Sequence, residues 1–379
     1  MTVYLDHNAT APVRPEARDA VMAALEAVGN PSSVHGPGRS ARARIETARG
    51  VIAKKICARA EDLVFTSGGT EANNLGLRAG IAAGATRVIV SAIEHDAVGA
   101  AAQALGVPCE IWPVLKTGQA DIDWLKDRLQ RTETEGETPI LFALMAANNE
   151  TGVIQPYAEA GRMIREAGHL YHIDAVQMLG KAGFDVAGSF AHLAACSSHR
   201  LGGPQGEGAL GVACEASVAP QLSGGGQEKN RRAGTENVAG IAGFGAAAAV
   251  AGGAEELSQI RALRDELQAR LKAGAPEITI WGEDTERLDN TLCLSAPGWP
   301  SEIQVIALDL NGFAVSAGSA CSSGKVRKSK VLEAMGASAA DAESALRISL
   351  GWTTTRDDIE AFANAWLNEY ARLRPRAAV

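Results

Sequence analysis

Between residues 62 and 214 the chain alternates short β-rich runs with helical stretches, and this alternation constrains the fold more than any other feature of the sequence. The runs are Leu63–Thr66, Val88–Ser91, Glu110–Val114, Ile140–Met145, Leu170–Asp174, Leu193–Ser197 and Ala209–Ala213. Strands separated by helices imply βαβ units, hence an α/β fold with a mostly parallel, seven-stranded sheet covered by helices on both faces. Ligands of such folds collect at the carboxyl ends of the strands. Ser67–Thr70, His95, Asn149, Asp174 and Ser197–Arg200 all fall at or just after a predicted strand end.

The pattern stops at Gly224-Gly-Gly226 and the charged run to Arg232. A helix from Val238 to about residue 253 and a second over Glu255–Ala273 follow. The remainder reads as α+β, with strands near Ile278–Trp281, Thr291–Ser295, Ala314–Ser316 and Leu346–Ser349 and helices at Glu302–Leu310, Ser329–Met335 and Arg356–Leu373. A chain of 379 residues exceeds what one core organises, about 250–300 residues. The expected division is a large domain over 15–254 and a small one built from 1–14 and 255–379. A formal charge of −8 argues against nucleic acid or an anionic membrane as the main partner. No run of about 18 apolar residues occurs, and Val3-Tyr4-Leu5 reads as a strand rather than a leader, so the cytoplasm is the expected compartment.

Thr66-Ser-Gly-Gly-Thr-Glu-Ala-Asn-Asn74 follows a strand and opens a helix. Its small residues let backbone N–H groups approach an anion at the positive helix end, which makes it a candidate phosphate cradle, the alternative being a tight turn capped by Thr70. It matches neither the P-loop nor G-x-G-x-x-G. Asp174 ends an apolar strand, where a carboxylate either caps the next turn or holds a pyridine nitrogen protonated. His169 and His172 point to opposite faces of that strand, so a metal site with Asp174 is not expected. The six cysteines form no Cys-x-x-Cys pair, and most read as small buried hydrophobes. Cys321 is the exception. It lies in Gly318-Ser-Ala-Cys-Ser-Ser-Gly324, followed by Lys325, Arg327, Lys328 and Lys330, and nearby positive charge favours a reactive thiolate. An exposed turn with a solvated basic face is the alternative.

Taken with Tyr4–Thr10, Gly29–Ser33, Asn148–Gly152, His172–Gln177, Ser197–Gly206, Arg231–Asn237 and Ala345–Leu350, these motifs resemble the cysteine desulfurases of the class V aminotransferase group over nearly the whole chain. The resemblance implies a fold type I aminotransferase architecture, the cofactor pyridoxal 5'-phosphate (PLP), and a homodimer with sites at the subunit interface. It implies that Gly69, Thr70, Ser197 and His199 hold the cofactor phosphate, with Thr235 reaching it from the neighbouring subunit. His95 is expected to stack on the pyridine ring and shuttle protons, Asp174 to pair with the ring nitrogen, and Gln177 and Asn149 to contact the ring-hydroxyl edge. Arg347, helped by Asn30, is expected to clamp the carboxylate of L-cysteine. Cys321 is expected to take the substrate sulfur as a persulfide, releasing L-alanine and handing sulfur to a scaffold protein of iron–sulfur cluster assembly.

One position departs from the pattern. Arg200 stands where these enzymes carry the lysine that holds the cofactor as a Schiff base and moves the Cα proton. A guanidinium stays protonated and does neither. Lys181 and Lys229 fall in no matching motif. The sequence leaves open an engineered substitution, a natural loss of activity, or noncovalent cofactor binding with slow chemistry. Two other readings stand beside the desulfurase: a selenocysteine lyase or aminotransferase on the same fold, and a non-catalytic relative that docks a partner protein.

Overall fold

A computed structural model describes residues 2–135, 139–213, 218–318 and 328–373. The strands are β1 (Val3–Tyr4), β2 (Leu63–Thr66), β3 (Arg87–Ser91), β4 (Cys109–Trp112), β5 (Ile140–Met145), β6 (Leu170–Asp174), β7 (Leu193–Ser197), β8 (Gly208–Val212), β9 (Thr279–Ile280), β10 (Thr291–Ser295), β11 (Phe313–Ala314), β12 (Ser316–Ala317) and β13 (Ala345–Ser349). The seven-stranded sheet has the order β2-β8-β7-β6-β5-β3-β4. All its strands run parallel except β8, which runs against both neighbours. This is the mostly parallel α/β sheet that the alternation predicts.

Burial accounts for the strand sequences. Every residue of β5, Ile-Leu-Phe-Ala-Leu-Met, is buried, because helices cover both faces. Strand β4 lies at the edge and is largely exposed. It ends at Trp112 rather than Val114, since Pro113 has no N–H for the ladder. The helix Gly69–Ala82 lies close on the sheet: a Cβ at Gly76 would come 2.6 Å from the His172 ring. That approach holds the helix N-terminus over the carboxyl ends of β6 and β7.

The main core runs through this sheet, with Trp112, Phe142, Tyr171 and Phe244 at its centre. A second core joins Leu5 to side chains between Ile260 and Tyr370, among them Trp299, Phe362 and Trp366. Its strands form the sheet β12-β13-β10-β9 and the pair β1-β11. The single strand expected at Ala314–Ser316 is two: the chain changes sheets at Val315, β11 pairing with β1 and β12 with β13. The helix from Val238 stops at Val250 rather than near 253, because Ala251 turns extended and Gly252 takes φ +71.

Candidate active site

β4 and β5 lie on opposite sides of β3, so successive connections leave β3 and β5 in opposite directions and open a crevice at the carboxyl edge. A cavity of about 80 Å³ occupies it. Gly69 and Thr70 enter from after β2, His95 from after β3, Asn149 from after β5, Asp174 and Gln177 from β6, and Ser197, His199 and Arg200 from β7.

The phosphate cradle has the required shape. Gly68, at φ +150, turns the chain so that the helix begins at Gly69 with its free N–H groups toward the cavity. A Cβ at Gly69 would lie 2.8 Å from the Val176 side chain, so glycine alone leaves this wall open. Ser197 Oγ is buried without a hydrogen-bond partner, an orphaned donor that a phosphate oxygen satisfies. His199 borders the same wall, its Nδ1 3.2 Å from Thr10 Oγ1. Burial and the neighbouring charge of Arg200 push its pKa down to about 4, so the ring is neutral near pH 7 and offers this wall a hydrogen bond rather than a charge.

Asp174 Oδ1 accepts the Val176 amide at 2.9 Å and Oδ2 accepts Asn73 Nδ2 at 2.8 Å. Asn73 in turn meets His172 Nε2 at 2.8 Å. Burial raises the Asp174 pKa and pushes His172 down to about 3. The carboxylate is therefore desolvated and fixed in place, a site that a protonated ring nitrogen completes. Gln177 is pinned by residues that sequence reasoning missed. Its Nε2 donates to Asn8 O at 3.2 Å, and its Oε1 accepts Lys181 Nζ at 2.5 Å. Lys181, outside every matching motif, thus stands directly behind a cavity residue.

His95 Nδ1 accepts the Ala97 amide at 3.0 Å and caps the helix Asp96–Gln103, so a proton exchanged by this ring moves at Nε2. His95 and Asn149 also border a larger cavity of about 540 Å³, with Glu94, Glu150, Lys328 and Lys330 on its walls. It adjoins the smaller cavity at His95 and Asn149. Arg347 donates to Asp6 Oδ1 at 2.8 Å and to Asn149 O at 3.0 Å, which places its guanidinium one residue from the cavity. Asn30 is exposed and accepts the Ser32 amide, and Thr235 lines a separate cavity of about 140 Å³. Neither borders the main site in one chain.

Cys321 lies outside the described residues, as do Cys214, Lys325 and Arg327. Lys328 and Lys330, read from sequence as charge beside that thiol, form ion pairs with Glu343 at 2.7 Å and Asp96 at 3.6 Å. Cys196 and Cys293 are buried, and burial pushes the Cys196 thiol up to about 12. Cys57 and Cys109 are exposed rather than core residues, because Cys57 sits in a left-handed turn and Cys109 on the edge strand.

The buried acids and histidines fix a pH dependence. Burial raises Glu94 and Glu207 to about 8 and Glu150 to about 7, so each holds a proton in the folded state that the unfolded chain releases above about 4.5. Their stabilisation is complete below 4.5 and is lost as pH climbs through 7–8. His7 and His199, pushed down to about 4, and His172, at about 3, act oppositely: their contribution is complete above 6.5 and is lost as pH falls through 4. Between 4.5 and 6.5 the two sets offset. Above 6.5 the glutamates prevail, opposed among the described residues by the buried amine of Lys181. Asp174, also raised by burial, joins the acids, so denaturation of the cofactor-free protein is expected to show little gain in stability from pH 4.5 to 6.5 and a loss on the order of 2 kcal/mol by pH 8. Glu94→Gln is expected to flatten that alkaline loss, and an unchanged profile in this variant contradicts the assignment.

A carboxyl-edge pocket with a helix-end anion cradle, facing a buried strand-end aspartate, is the layout of a fold type I PLP enzyme. The sequence matches the class-V aminotransferases over residues 3–362. A cysteine desulfurase of Cereibacter sphaeroides is 38% identical over 94% of this chain and 93% of its own length. A solved NifS-like protein of Rickettsia africae superposes with TM-score 0.90 at 33% identity, over 98% of this chain and all of that one. A structure described as SspA in complex with cysteine gives TM-score 0.78 at 27% identity over 94% of this chain and all of that one. The chain belongs to the class-V aminotransferase family, among its cysteine desulfurases, and the family is PLP-dependent.

Proposed function

We propose that this chain binds PLP in the cavity at the sheet's carboxyl edge and is built for L-cysteine desulfuration, with its own turnover held low by Arg200. The observation that carries this reading is the convergence of Gly69, Thr70, Asp174, Gln177, Ser197 and His199 from separate strand ends on one cavity, with Arg200 on its wall. When bound, PLP supplies a protonated pyridine ring that delocalises an electron pair released at Cα. Asp174 keeps the proton on the ring nitrogen. Ser197 and the first amides of the helix Gly69–Ala82 hold the phosphate. Arg347 orients the substrate carboxylate beside Asn149, and His95 exchanges a proton at Nε2. Cys321 is assigned the sulfur: its thiol and the thiol of L-cysteine become a Cys321 persulfide and L-alanine, with atoms conserved. Arg200 binds without accepting a proton, so the Cα proton has no base at position 200.

Delivery of this sulfur to a scaffold protein of iron–sulfur cluster assembly is the assigned role, in the cytoplasm. A homodimer is supported by the exposed apolar Met22, Leu25, Val28 and Val34 around Asn30, and by the place of Asn30 and Thr235 away from the cavity of their own chain. Arg200 is also the support for a second reading, a non-catalytic relative that captures a partner protein.

PLP titration followed by fluorescence tests the site. Asp174→Asn keeps the side chain's size and removes its charge, so affinity is expected to fall by about 2 kcal/mol, roughly thirty-fold. Equal affinity in the variant and the parent removes the cofactor reading. Failure of the parent to bind PLP, with a scaffold protein still captured, favours the non-catalytic relative. Comparing alanine release from cysteine and selenocysteine separates the desulfurase from a selenocysteine lyase.

A further inference from the structure

Lys181 Nζ donates to two carbonyl oxygens, Asn8 Oδ1 at 2.7 Å and Gln177 Oε1 at 2.5 Å. Asn8 itself is fully buried and fixed on all sides. Its amide nitrogen donates to Thr291 Oγ1, its Oδ1 also accepts Asn290, and its backbone N–H reaches Ser349 Oγ. The amine is thus held by a rigid frame. An ammonium carries three donors, and this frame provides two acceptors. A neutral amine donates both hydrogens to the same oxygens and keeps its lone pair uncommitted.

The surroundings favour the neutral form. Burial takes Lys181 well below the usual amine range, and the positive charges of Arg200 and Arg347 lower it further. Desolvation beside another cation is a standard means of making a lysine nucleophilic. Arg200 borders both the PLP cavity and the small cavity that Lys181 lines. Gln177, whose amide touches Nζ, also borders the PLP cavity. The arginine that removes an amine from position 200 therefore helps keep a second amine uncharged, one side chain behind the cavity wall.

We infer that Lys181 is a covalent anchor for the aldehyde of PLP in this chain. This rests on the cavity binding PLP as proposed above. The Nζ lone pair adds to the aldehyde carbon, a carbon–nitrogen double bond forms and the aldehyde oxygen leaves as water. For this step Nζ swings off the Asn8 and Gln177 oxygens, which stay in place, and passes Gln177, the side chain that separates it from the cavity.

Borohydride locks such a bond irreversibly as a secondary amine, and peptide mass spectrometry finds the lysine that carries the pyridoxyl group. The protein is incubated with PLP, bound PLP is measured by phosphate content, and the sample is reduced and digested. The expected result is a pyridoxyl mark on Lys181, lost in Lys181→Met protein whose circular dichroism is unchanged. If that variant does not fold, the map of the parent protein decides alone. Bound PLP with no mark, or with the mark on Lys328, Lys330 or another lysine, overturns the inference and leaves the site reading standing. Absence of bound PLP overturns both.

Discussion

Arg200→Lys is expected to raise alanine release from L-cysteine by roughly 10²–10⁴-fold, the contribution of one well-placed general base. The same variant is expected to gain the visible absorbance of lysine-bound PLP. Space and environment both favour the change. Arg200 lies against the PLP cavity and against a second cavity of about 30 Å³ that also contains His7, Lys181 and Trp352, so the smaller lysine has room. The charge of Arg200 contributes to the low pKa of His199 and Lys181. An amine in its place is half-buried, and partial desolvation drives it toward the neutral form that the chemistry needs. In the borohydride experiment the mark is expected to move from Lys181 to position 200. Alanine release that stays at the level of the parent, with no new absorbance, means that position 200 is not where this site handles the Cα proton.

How far the sequence reveals this molecule depends on how far apart the interacting residues lie. Ile140–Met145, Leu170–Asp174 and Leu193–Ser197 fall where the sequence places them. Each is an apolar run buried on both faces, and its ends are set by local chemistry. The cavity residues are legible for the same reason: a strand end is a local signal, and a parallel sheet gathers all such ends on one edge. Asn8, Asn73 and Lys181 carry no such signal. Asn8 meets Lys181 across 173 residues, and Asn73 meets Asp174 across 101. The Asn73 contact exists only once the helix is packed on β6, and the Asn8 contact with Lys181 only once the two cores are joined. Side-chain pairing is equally hidden, so Lys328 and Lys330 read as free positive charge until Glu343 and Asp96 are seen beside them. Chain changes such as Val315, where one apparent strand serves two sheets, are invisible to a reading made one segment at a time.

Arg347→Ala, made in the Arg200→Lys background, is expected to lower kcat/KM for L-cysteine by about 2–4 kcal/mol, roughly 30- to 1,000-fold, mostly through KM. The guanidinium sits in β13 between β10 and β12, is 2% exposed, and is aimed by two contacts that use separate nitrogens, Asp6 and Asn149 O. Its Nε is buried without a partner, so a donor remains for a carboxylate. Asp6 is itself fixed by Ser316 Oγ at 2.8 Å, so the pair is held rigid before substrate arrives. Arg347→Lys keeps a charge but loses the planar fork and is expected to recover only part of the loss. PLP affinity measured without amino acid separates recognition from scaffolding. If Arg347 acts on the substrate, that affinity stays within about threefold of the parent while KM rises, because Arg347 does not line the PLP cavity itself. If PLP affinity falls as steeply as kcat/KM, Arg347 serves to hold the Asn149 turn in place and the carboxylate is bound elsewhere.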